Sequence, residues 1–112
     1  MRLETLLKDP GEGLVNPLTL FALINLGVIE SLANGSISAM GAVRLLYNAE
    51  NCLYVRRSLK DKKADDVMGR GVQLPDLFDC LPVEEAQREF AHELAVMRSL
   101  CIKLIERKGV AA

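Results

Sequence analysis

The chain has 112 residues, 14 of them basic and 15 acidic, for a formal net charge of −1. That balance does not single out a nucleic-acid or membrane-surface partner. Half of the residues are hydrophobic, only 4% are aromatic and none is Trp, so one aliphatic core over residues 1–112 is expected, large enough to need neither metal nor disulfide.

Residues 2–8 read as two turns of helix, with Glu4 and Lys8 four apart in the favourable order. The start, "MRLETLLKDPG", is too short and too charged for a signal peptide. "DPGEG", 9–13, breaks the chain.

The next helix opens with Asn16 as N-cap and Pro17 at the first helical position, and stops at Asn34-Gly35. No residue from Gly13 to Ile29 is charged. A membrane span needs about 20 predominantly apolar residues. This run is shorter and carries Asn16, Pro17 and Asn25, so a buried soluble helix is expected. Its apolar side chains go nearly all the way round, and such a helix must be covered on most sides. A second copy of the chain is the expected cover, with Leu18, Phe21, Ile24 and Val28 at a homodimer interface.

"NGSIS", 34–38, joins this helix to a third over 37–59. Ala42, Leu45, Leu46, Ala49, Cys52, Leu53 and Arg56 keep helical period and share a face. Arg44, Asn48, Asn51 and Ser58 lie opposite. The charged run "RRSLKDKKADD", 56–66, ends the helix.

Residues 66–82, "DVMGRGVQLPDLFDCLP", read as an ordered but irregular connector. Gly69 and Gly71 permit backbone turns, and Pro75 starts one helical turn. Solvated linkers are polar, yet this one keeps Val72, Leu74, Pro75, Leu77 and Phe78. They form either a flap over the chain's own core or the anchors of a partner-binding surface.

The last helix covers 82–108. Val83, Phe90, Met97 and Leu104 recur every seven residues, with Ala86, Leu94, Leu100 and Cys101 between them. Gly109 stops it. The expected fold is an all-α bundle of three main helices, a short N-terminal helix and the connector.

Candidate chemistry is sparse. Cys52, Cys80 and Cys101 are too widely spaced for a zinc or redox motif. They read as structural thiols of a cytoplasmic, reducing compartment. The only histidine, His92, follows Arg88 by one helical turn. An Arg-His pair can act on a phosphodiester, which makes a helical nuclease one alternative. Asp76 and Asp79, with Glu84 and Glu85 nearby, supply oxygens but match no calcium loop. "GRGVQ" fits no phosphate-binding fingerprint. No catalytic residue, metal or cofactor is assigned.

In "AVRLLYNAENCLYVRRSL", 42–59, Leu45, Leu46, Leu53, Tyr54, Arg56 and Arg57 fall in the register of a helix-turn-helix. The segment resembles that motif in small DNA-binding regulators, which implies a DNA-binding regulator as a further alternative. Tyr47 stands where the turn wants glycine and Asn48 where it wants an apolar residue. An unbroken helix is therefore expected here. The leading functional expectation is a non-enzymatic intracellular interaction or regulatory protein acting as a homodimer.

Overall fold

The computed structural model describes residues 1–8 and 16–107. These form six α-helices and one π-helical turn: α1 Leu3–Lys8, α2 Pro17–Ala33, α3 Ala39–Leu45, α4 Ala49–Tyr54, the π-turn Val55–Leu59, α5 Lys62–Cys80 and α6 Val83–Arg107. The described residues contain no strand, and the protein is an all-α bundle.

The longest helix, α6, packs against both α2 and α5. The shorter helices close the remaining side, α3 on α5 and α1 on α2 and α4. On α6, Ala86, Leu94, Met97, Cys101 and Leu104 are buried, so most of the heptad stripe is core. Val83 leaves it, 70% exposed at the start of the helix.

The signals at the ends of α2 act as expected. The Asn16 side chain accepts the Leu18 and Thr19 N–H groups at 2.9 and 3.2 Å. At the other end the Asn34 N–H donates to the Glu30 carbonyl, and Gly35 takes φ 81°, a conformation that costs glycine nothing. In α1, Leu3 and Leu7 are buried and Glu4 pairs with Arg2 at 3.7 Å. The Lys8 side chain, the 9–13 break and the Gly109 stop lie outside the described residues.

Two expectations are corrected. The first is the unbroken helix over 37–59. The chain turns at 46–48, where the Leu46 and Tyr47 N–H groups both donate to the Ala42 carbonyl. Asn48 then caps α4 by accepting the Asn51 N–H at 3.0 Å. The turn needs no glycine because it uses no left-handed residue; Leu46 sits at φ −132°, ψ −48°. Tyr47 swings into the core, fully buried, and its hydroxyl donates to Asn25 Oδ1 at 2.9 Å. Asn51, read on the face opposite the apolar one, is buried too. It accepts the Leu3 N–H at 3.0 Å and donates to the carbonyls of Met1 and Leu46 at 2.9 and 3.0 Å.

The second correction concerns 66–82, which is helical through Cys80 rather than irregular. Lys60, left-handed at φ 50°, ends the π-turn. Asp61 then caps α5, accepting the Lys63 and Ala64 N–H groups at 2.9 and 3.1 Å. Ala64, Val67, Met68, Gly71 and Leu74 recur at helical spacing and are buried. Pro75 lies inside the helix instead of starting a turn, and it removes one backbone bond to the Gly71 carbonyl. Neither Gly69 nor Gly71 makes a turn. A Cβ on Gly71 would stand 2.4 Å from Cδ1 of the Tyr47 ring, so only glycine fits there.

Candidate interaction surface

Of the five connector residues singled out in the sequence, α5 distributes the side chains around its circumference. Leu74 is fully buried and belongs to the core. Leu77 is half-buried against that core and Pro75 is half-buried beside it. Phe78 and Val72 are exposed, at 46% and 42%. They border different grooves, Phe78 facing α3 and α6, and Val72 facing Tyr47, Cys52 and Arg56. The flap and partner readings therefore divide by residue: Leu74 covers the core, and Phe78 faces outward.

Phe78 is held in place by Phe90 of α6. Their ring centroids are 5.3 Å apart at an interplanar angle of 61°, the edge-to-face geometry that aromatic pairs prefer. Ile37 and Met40 complete a groove of ≈ 530 Å³ between α3, α5 and α6, rimmed by Asp79. Met40 is 46% exposed. Sequence reading missed Ile37, Met40 and Phe90 as neighbours of Phe78, because only the break before α4 and the helical course of α5 bring the three elements together.

The four residues expected at a homodimer interface lie largely inside the chain. Phe21 is fully buried, Leu18 and Val28 nearly so, and Ile24 is half-buried against the core. The cover that α2 requires comes from α1, α3 and α6. What α2 leaves outside is a different stripe, with Leu23 50% exposed and Leu26 half-buried. Leu26 borders a second groove of ≈ 500 Å³, shared with Ala91, Ala95, Arg98 and Ile102 of α6.

A third groove, between α5 and α6, is polar. Arg70 Nε donates to Asp66 Oδ1 at 2.9 Å, and Arg70 Nη1 reaches both carboxylate oxygens of Glu93 at 2.9 and 3.2 Å. These side chains satisfy one another and tie the helices together.

Arg88 and His92 are exposed on α6, and neither makes a hydrogen bond or ion pair within the described residues. The described residues hold no group of three or more His, Cys, Asp or Glu placed to hold a metal ion, and Asp76, Asp79, Glu84 and Glu85 are all exposed. The cysteines are unpaired: Cys101 buried, Cys52 half-buried and Cys80 exposed. Burial pushes the Cys101 thiol up to about 12. Burial also raises Cys52, opposed by the nearby Arg56 and reinforced by Asp65. Both thiols are held protonated, contrary to what a nucleophile needs. Burial likewise pushes the Tyr47 phenol up.

Arg56 and Arg57 are exposed, as are Lys60 and Lys62 just beyond them, and none of the four is in an ion pair within the described residues. Among the described residues no helix is long and apolar enough to cross a membrane. No protein family, curated protein or solved structure matches the chain.

Proposed function

We propose that the protein is a non-enzymatic, intracellular interaction or regulatory protein that acts as a homodimer and takes a protein partner in the groove between α3, α5 and α6. The observation that carries this reading is Phe78, an aromatic side chain 46% exposed yet fixed edge-on by Phe90. An exposed aromatic and an exposed Met lining one groove are residue types enriched at protein–protein interfaces. The three unpaired thiols support a reducing compartment. The exposed, unpaired positions of Arg88 and His92 give the nuclease reading little support.

The experiment is a comparison of immobilised wild type with Phe78→Asp and Met40→Asp variants in lysate of the source cells. Both substitutions lie at exposed positions, and circular dichroism checks the fold of each variant. A protein retained by wild type and lost from both folded variants supports the reading. Identical binding by all three overturns it.

The break at 46–48 also favours a second reading, the DNA-binding regulator, since a helix-turn-helix requires a break there. Arg56 and Arg57 stand exposed after α4. Against it, α3 packs on α5 rather than on α4. If this reading holds, duplex DNA binds at ~50 mM salt and weakens steeply as salt rises, and Arg57→Ala lowers the salt slope by about one. No binding at ~50 mM salt removes it.

A further inference from the structure

We propose that the homodimer forms through the groove between α2 and α6, with a second copy of this chain as its occupant; the inference rests on the homodimer reading and supplies its surface. Half-buried Leu26 on one side and exposed Ala91, Ala95 and Ile102 on the other line an apolar groove, and Leu23 is exposed one turn before Leu26 on α2. Leu23 is 50% and Ile102 40% exposed. Contiguous apolar surface of this kind marks an interaction site.

The charges say what covers it. Glu30 from α2 and Arg98 from α6 border the same groove. They pair neither with each other nor with any other described residue. A two-fold interface places one patch against its own copy, so that residue i meets j and j meets i. An acid and a base on opposite walls of one groove suit that symmetry. Glu30 of each copy meets Arg98 of the other, giving two ion pairs across one apolar centre. A different partner would have to supply the same pattern independently, whereas a second copy carries it by construction.

A face two helices wide and as long as α2 is roughly 20 by 25 Å, at the small end of specific interfaces.

The test is sedimentation equilibrium on the full chain from micromolar to submillimolar concentration. The variants are Ala95→Glu, Glu30→Arg, Arg98→Glu and the double reversal Glu30→Arg with Arg98→Glu. All three positions are exposed, and circular dichroism confirms the fold of each variant. The expected result is a wild-type dimer abolished by Ala95→Glu and weakened about tenfold or more by each single reversal. The double reversal should restore it to near wild type. A wild-type dimer indifferent to all four variants overturns this surface and leaves the homodimer standing on another face. Single reversals that weaken the dimer without rescue in the double variant overturn the Glu30–Arg98 pairing. A monomer at every concentration overturns the surface and the homodimer together.

Discussion

The ring of Tyr47 fills the space that a side chain on Gly71 would occupy: a Cβ there would stand 2.4 Å from both Cγ and Cδ1 of the ring. The same tyrosine donates to Asn25 on α2 at 2.9 Å and lies within electrostatic reach of Cys101 on α6. One side chain from the turn after α3 thus packs on α5 and hydrogen-bonds to α2. Gly71→Ala forces the ring or α5 to move and should lower stability by about 1–3 kcal/mol. Gly69→Ala, two residues earlier with open space around its Cβ, should raise it by about 0.5–1 kcal/mol. Urea melts of the two variants check the contrast, and equal effects would contradict this packing.

Asn51 fastens the N-terminus. Its amide takes the Leu3 N–H and gives to the Met1 and Leu46 carbonyls. Asn51→Ala leaves buried groups without partners and should cost about 2–3 kcal/mol. Amide exchange at Leu3 should accelerate more than exchange in α6. Uniform acceleration along the chain would argue against a local fastening.

Leu74 and Phe78 sit one turn apart on α5 with opposite surroundings. Leu74→Ala should cost about 2–5 kcal/mol, as for other buried leucines. Phe78→Asp loses one edge contact at a half-exposed position and should cost no more than about 1.5 kcal/mol. Thermal melts decide it. A larger loss for Phe78→Asp would make that ring part of the core and withdraw it as a partner anchor.

The buried thiol gives the stability a pH dependence of known sign. Cys101 titrates near 9.0 when unperturbed and at about 12 in the fold. Its folded pKa is raised, so its stabilising contribution is complete below pH 9. It is lost as pH climbs toward about 12, because the unfolded thiol ionises while the folded one keeps its proton. Tyr47, raised from 10.0 by burial, acts in the same direction above pH 10. Midpoints of denaturation should fall between pH 9 and pH 12, and Cys101→Ala should flatten the early part of that fall. An unchanged slope in the variant would contradict the burial of this thiol.

The all-α architecture was legible because its signals are local. Asn16-Pro17 and Asn34-Gly35 mark both ends of α2, and Ala86, Leu94, Met97 and Cys101 mark the buried side of α6. The misread parts depend on tertiary contacts. Gly71 looks like a helix breaker until Tyr47 is placed on it, and Pro75 looks like a helix start until Asp61 is seen capping the chain well before it. The spacing of Ala64, Val67, Met68 and Leu74 did carry the helical signal for α5. In the turn, Asn48 was a readable cap, but the demand for glycine at Tyr47 hid it. The Phe78 groove joins residues from three helices, and no spacing in one segment could announce it.

The most direct measurement is the absolute mass of the wild-type chain by light scattering behind a sizing column, over micromolar to submillimolar loads. The homodimer reading predicts a mass that rises toward twice that of one chain as the load increases. A mass that stays at one chain throughout would contradict it and leave the α2–α6 face exposed in solution.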